Sequence, residues 1–215
     1  MRIPIKGTII PNEYKDFYNW FGIDSTCPRD VETALENAGK EDVIFEINSG
    51  GGEIFSGSEI YSKIRSHPGE KEIQIVGFAG SAASVIACAA KSKIAPTAMM
   101  MIHNVQGSYN GDWQGFAHET KSLRECSKAI AAAYTEKTKM AEAEVMQMMD
   151  EETWITAQKA VEYGFADEIL PAESGLYNAL CTILTPQQIQ EARNAMAGKA
   201  VEEEKLNLLK LGGYR

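Results

Sequence analysis

The sequence is poor in the features that would tie it to several common functions. Its four cysteines, Cys27, Cys88, Cys126 and Cys181, are widely scattered and form no CxxC pair, which argues against a structural zinc site or a thioredoxin-like motif. Reduced thiols are expected, with Cys88 a small core residue inside an Ala-rich run. No stretch approaches the roughly 18 uninterrupted apolar residues of a membrane helix. The opening MRIPIKGTII carries charges and Pro4 where a signal peptide needs an apolar core. No membrane association is expected, and a cytoplasmic location is. Basic residues are outnumbered, 21 Lys and Arg against 30 Asp and Glu, for a formal net charge of -9. Sequence-independent binding to nucleic acid depends on Lys and Arg neutralising phosphates, so nucleic acid is not an expected partner.

What is present is the composition of an ordinary globular chain, 215 residues with 44% hydrophobic and 24% charged, long enough for one sizeable core. The order of elements is a strand-then-helix rhythm. Ile3 to Ile10 reads as a strand and Pro28 to Ala38 as a helix with Val31, Leu35 and Ala38 on one face. The strand Val43 to Ile47 runs into Gly50, Gly51 and Gly52, read as a tight turn before a helix from about Ser56 to Arg65. The strand Ile73 to Val76 runs into the small residues Gly77 to Ser81, then a helix from about Ala82 to Ala90. Met99 to Ile102 is another strand, followed by a polar loop over 104–115 and a long helical region from Phe116 to Met149. A closing unit has Thr156 as helix N-cap, Gly164 as C-cap and a strand Glu168 to Leu170. Such alternation predicts parallel strands with right-handed crossovers and a ligand site at their carboxyl ends.

Three segments carry candidate chemistry. In GFAGSAAS, residues 77–84, a serine where a strand gives way to an apolar helix has free backbone N–H groups beside it, which suits acyl transfer; the same residue could simply cap the helix. His103 ends MMMIHN, where a side chain leaves a buried strand. Of three histidines, His67 lies beside Pro68 in a turn and His118 on an exposed helix face, so His103 is the best candidate for a general base, with a core imidazole bonded to a carbonyl as the alternative. NSGGGEI, residues 48–54, is glycine-rich but lacks both G-x-x-x-x-G-K-[ST] and G-x-G-x-x-G, so a nucleotide site is poorly supported.

Together these segments resemble the Clp protease proteolytic subunit (ClpP) family. The family's I-N-S-P-G-G is matched by Ile47-Asn48-Ser49-Gly50-Gly51-Gly52, with Gly50 in place of proline; its G-x-A-x-S by Gly77 to Ser81; its M-I-H by Met101-Ile102-His103; and its closing A-V-E-Y-G-x-x-D-x-I-L by Ala160 to Leu170. The resemblance implies an α/β fold, the ClpP/crotonase-like spiral of ββα units. A catalytic domain would span 1–170, with a protruding helical handle at about 107–149, and 171–215 would be a peripheral helical tail. It implies a serine endopeptidase with Ser81 as nucleophile, Ser84 being the competing serine, and His103 as base. Glu152 stands at the position of the triad acid, where the family has aspartate; Asp150 and Glu151 are alternatives. Gly52 and Ala82 would form the oxyanion hole, and Gly51, Gly52 and Asn104 would contact substrate. No metal or organic cofactor is implied.

The expected partners are other copies of the chain in a homo-oligomeric ring, and protein substrates. The segment Tyr18 to Asp24, the Glu152-Thr153-Trp154 acid motif and the Ser81-Ala82-Ala83-Ser84 helix start are more similar to phage and prophage Clp-like head maturation proteases, whose substrates are capsid or scaffold proteins. The first strand begins near Ile3 without a preceding axial loop, so an ATPase unfoldase partner is left open. Two other classes stay in view: a crotonase-type enzyme acting on coenzyme A thioesters, and a catalytically inactive ring scaffold.

Overall fold

The computed structural model describes residues 1–171 and Asn194; the expected peripheral helical tail lies, from residue 172 on and Asn194 apart, outside those residues. The first strand, β1 (Arg2–Ile9), alternates Ile3 and Ile5 inward with Arg2, Pro4 and Lys6 outward. A period of two buries one face only. After a 3-10 turn come α1 (Lys15–Trp20), the short β2 (Ser25–Thr26) and α2 (Pro28–Ala38). Proline opens α2, and Asp30 at its third position accepts from the Cys27 amide at 3.0 Å.

β3 (Val43–Gly52) and β4 (Lys71–Gly80) form the centre, separated by α3 (Ile54–Ser66). Both strands run further than the sequence indicated. The three glycines are not a turn but the end of β3, where Gly51 and Gly52 pair with Thr8 and Ile9 of β1, and Gly77 to Gly80 end β4. After α4 (Ala82–Ala87) follow β5 (Lys91–Ile94), β6 (Met99–Ile102), α5 (Trp113–Thr138), α6 (Glu142–Asp150), β7 (Thr153–Thr156), α7 (Ala157–Glu162) and β8 (Glu168–Ile169). The sheet order is β2-β1-β3-β4-β5-β8, all parallel, with β6 also parallel to β4 and β7 antiparallel to β6.

β4 is shared: Glu72 to Ile75 pair with β5, whereas Phe78 to Gly80 pair with β6. Between these stretches its ladder with β3 slips, from Ile47↔Ile75 to Ser49↔Ala79. The Asn48 side chain fills the break and accepts from the Phe78 amide at 3.1 Å. Asn48 Oδ1 would lie 2.5 Å from a Cβ on Gly77, so a side chain there would displace the Asn48 amide.

The helical side of the sheet is sealed by Ile5, Phe45, Ile47, Ile73, Ile75, Ile60, Ile64 and the wholly buried α4. Small residues let α4 sit that deep, since a Cβ on Gly57 would meet the Ala82 Cβ at 2.9 Å. The outer face carries charge pairs, among them Arg2–Glu46 and, at 2.9 Å, Lys93–Glu72. The long helical region is two helices. It breaks at Lys139, which takes a left-handed φ of 65° and donates its amide to Thr135. The buried residues of α5 all lie from Ser127 onward, so its first half projects. Among the described residues no helix is long and apolar enough to cross a membrane.

Candidate active site

Ser81 stands between β4 and α4 with φ 52° and ψ -126°, a conformation costly for a residue with a side chain. Hydrogen bonds with β6 and α4 hold it there. Its amide donates to the Met101 carbonyl at 2.9 Å, and its own carbonyl accepts the Ser84 amide at 2.9 Å and the Ser84 hydroxyl at 2.6 Å. The strained turn directs Oγ away from the backbone and toward β6, where His103 Nε2 lies 2.8 Å from it. This is hydrogen-bond distance, and either partner's role depends on the imidazole tautomer.

The competing serine is elsewhere. Ser84 has no solvent exposure, and its Oγ is 2.7 Å from the Tyr134 hydroxyl. Burial pushes the Tyr134 phenol well above its usual range. His67 also has an occupation of its own, its Nε2 lying 2.8 Å from the Glu41 carbonyl, while His118 is exposed.

The glycines at the end of β3 lie against the serine. Gly51 has φ 92°, and a Cβ there would be 2.7 Å from Ser81 Cβ and 2.9 Å from the Ala82 nitrogen. Gly52 has φ 149°, and its Cβ would strike the Ile9 carbonyl at 2.1 Å. Ser49 fastens this segment, donating to the Gly7 carbonyl at 2.6 Å and accepting from the Gly51 amide at 3.1 Å. The first N–H groups of a helix have no intrahelical acceptor, and Ala82 opens α4 beside these glycines.

The three candidate acids have three different partners. Asp150 accepts from Asn104 Nδ2 at 2.7 Å, Glu151 from Gln147 Nε2 at 3.0 Å, and Glu152 from Trp154 Nε1 at 3.3 Å. His103 Nδ1 is buried and has no hydrogen-bond partner among the described residues. Of the three, Glu152 stands nearest to β7 in sequence. β6 and β7 pair Met101 with Trp154 and Ile102 with Thr153; the ladder ends there, with His103 the residue after β6 and Glu152, at φ 49°, the residue before β7.

A cleft of about 700 Å³ opens on Ser81 and His103. Ile54, Phe55, Met101, Leu123 and Ile130 give it apolar walls, with Gly52 and Asn104 also on its lining. The loop after His103 is held along α5 by the Val105 amide, which donates to Ser127 Oγ at 3.0 Å. Two features, one on the cleft lining and one outside it, escaped the sequence. One is Glu53, the cap of α3: burial pushes its carboxyl up, but bonds from the Ser56 hydroxyl and the Phe55 and Ser56 amides outweigh this and hold it below the usual range. An acidic residue just before a helix, with Ser56 in its first turn, is a signal that could have found it. The other is the ring stack of Phe78 on Trp154, 5.4 Å between centroids and 8° between planes, which no spacing rule connects.

A serine forced into a strand-to-helix turn, with an imidazole in contact and glycine backbone beside it, has the geometry that an α/β serine hydrolase needs. The comparisons with known proteins make this specific. The Clp protease family model matches residues 32–173, and the chain belongs to that family of serine peptidases. It is 29% identical over 174 residues to the ATP-dependent Clp protease proteolytic subunit 1 of Leifsonia xyli subsp. xyli (strain CTCB07), covering 77% of this chain and 88% of that one. It is 26% identical over 173 residues to the proteolytic subunit 2 of Tropheryma whipplei (strain Twist), covering 76% and 96%. The proteolytic subunit 1 of Chlamydia abortus (strain DSM 27085 / S26/3) is 28% identical over 141 residues, covering 63% and 73%.

Proposed function

We propose that the protein is an endopeptidase in which Ser81 attacks the scissile carbonyl, His103 is the general base and Glu152 the acid of the triad. The observation that carries the reading is the 2.8 Å contact between Ser81 Oγ and His103 Nε2 at the mouth of the cleft. As Oγ bonds to the carbonyl carbon, its proton passes to Nε2; the imidazolium then returns that proton to the departing amine, leaving an acyl-enzyme. Water, deprotonated by the same nitrogen, releases the acid product. Glu152 would hold Nδ1–H and balance the cation. The oxyanion would be met by the N–H groups of Gly52 and Ala82, where one such donor contributes roughly 3 to 4 kcal/mol. Gly52 and Asn104, on the cleft lining, would receive the substrate backbone together with the neighbouring Gly51, and the apolar walls an apolar side chain.

The Ser–His contact favours this reading over a coenzyme A thioester enzyme of the crotonase type, which needs no such pair, and over an inactive scaffold. Intact-mass analysis after fluorophosphonate treatment should give one adduct, absent in Ser81→Ala and retained in Ser84→Ala. An adduct that moves to Ser84 would overturn the assignment.

The finer reading is a ring-forming protease of the cytoplasm that matures phage capsid or scaffold proteins. Its support is the likeness of the Tyr18 to Asp24 and Glu152 to Trp154 segments to such proteases. The relatives named above are subunits of ATP-dependent proteases, and an unfoldase is a partner to be sought here too. Incubation with the capsid and scaffold proteins encoded nearest its gene, with and without ATP and a Clp unfoldase, tests both points. Cleavage of neither protein would remove the capsid reading.

A further inference from the structure

We propose that Trp154 is a positioning residue whose indole N–H holds the Glu152 carboxylate off His103, so that the site rests as a Ser81–His103 pair and is completed when that carboxylate changes partner. This rests on the reading of Glu152 as the acid. The two donors compete by geometry. Glu152 is the residue before β7 and Trp154 the second residue of that strand, while His103 is the residue after β6, the strand paired with β7. In this structure the carboxylate is with the indole at 3.3 Å, and the His103 Nδ1 atom is buried with no partner.

Three observations make this a poised arrangement. An unpaired buried ring nitrogen is unfavourable, so the imidazole side favours exchange. The indole bond is long, and both Glu152 and Trp154 are exposed, Trp154 at 52%, so little is lost in breaking it. The nearby alternatives are taken, Asp150 by Asn104 and Glu151 by Gln147. The indole itself is not free to follow the carboxylate. Its ring is stacked on Phe78, whose own ring would lie 2.6 Å from a Cβ on Gly80, the residue before Ser81. The brace is therefore anchored to the strand that carries the nucleophile, and the carboxylate is the part that moves.

Trp154→Phe keeps the stacked ring and deletes only the N–H. Turnover of a small peptide ester by the intact assembly should then rise about three- to tenfold, the range expected for losing one exposed hydrogen bond to a charged group. The acid limb of kcat/KM should move to higher pH, because a carboxylate paired with the imidazole raises its pKa; a purely structural role for the indole would leave that limb in place. In a Glu152→Gln background the same substitution should do nothing. An unchanged or lower kcat with an unmoved pH profile overturns the proposal, as does an equal gain in the Glu152→Gln background. Wild-type protein that neither labels with fluorophosphonate nor turns over would sink the serine peptidase reading itself, whereas labelling without a Trp154 response sinks only this inference.

Discussion

The hydroxyls of Ser84 and Tyr134 lie 2.7 Å apart in the sealed interior, while Ser81, three residues earlier, opens on the cleft. The two serines therefore separate stability from chemistry. Ser84→Ala leaves the buried phenol unpaired and should cost about 1 to 3 kcal/mol, measured as a lower urea midpoint, with fluorophosphonate labelling intact. Tyr134→Phe should cost less, about 1 kcal/mol. A Ser84→Ala variant as stable as the parent would show that this bond contributes nothing.

Gly51→Ala is expected to abolish labelling. The new methyl must adopt φ 92° and would sit 2.7 Å from Ser81 Cβ, so about 1 to 3 kcal/mol of backbone strain adds to a collision with the nucleophile. Labelling should fall at least ~100-fold, since small misplacements of a reacting group carry penalties of that order. Gly50→Ala, with open space around its Cβ, is the control and should remain active.

Among the three carboxylates, Glu152→Gln should lower ester turnover at least ~100-fold, because the imidazole then has no countercharge when it charges. Glu151→Gln should be silent. Asp150→Asn should change little, although it weakens the Asp150–Asn104 contact and thus the loop that follows His103. Near-parental turnover in Glu152→Gln would move the acid elsewhere.

Asp167 links three elements, accepting from the Ser92 amide at 2.7 Å and pairing with Lys137. Burial pushes its carboxyl up, yet the Lys137 and Ser92 bonds outweigh that and hold it below its ordinary 3.8. A depressed carboxyl contributes stability above its unfolded pKa, and that contribution is lost as pH falls through the folded value. Asp167→Asn should thus cost about 1 kcal/mol at neutral pH, discounted for the exposure of Asp167, and the difference should shrink below about pH 4. Urea titrations at pH 7 and pH 3 make the comparison; a difference that is the same at both would exclude the ion pair.

Native mass spectrometry is expected to show a multi-subunit ring. Trp113 and Phe116, at the start of α5, are 77% and 52% exposed in the single chain, and isolated proteins seldom leave such surface uncovered. A monomer across micromolar concentrations would contradict the ring.

Much of this was legible in the sequence for physical reasons. α2 and β6 were placed at their observed limits, because Val31, Leu35 and Ala38 mark one helix face after Pro28 and Met99–Ile102 is an apolar run ending at a polar loop. Thr156 does cap α7, its hydroxyl accepting from Lys159, and Gly164 follows α7 with φ 79°. Glycine read as punctuation misled at Gly50–Gly52 and Gly77–Gly80. There the absent side chain serves close approach of neighbouring strands and of Asn48, a tertiary reason that single-chain patterns do not carry. β5 and β7 were missed because KSKI and TWIT are short and gain their strand character from neighbours. The break at Lys139 was missed because lysine seldom adopts positive φ.

The division of β4 between two partners has a consequence for how the molecule would fail on heating. Ser81 hangs from the far end of a strand zipped to β5 at one end and β6 at the other, so the nucleophile cannot loosen while either half of the sheet survives. Loss of activity and loss of the fold should arrive as one thermal event, and the β4 amides should exchange with solvent only when the whole sheet opens.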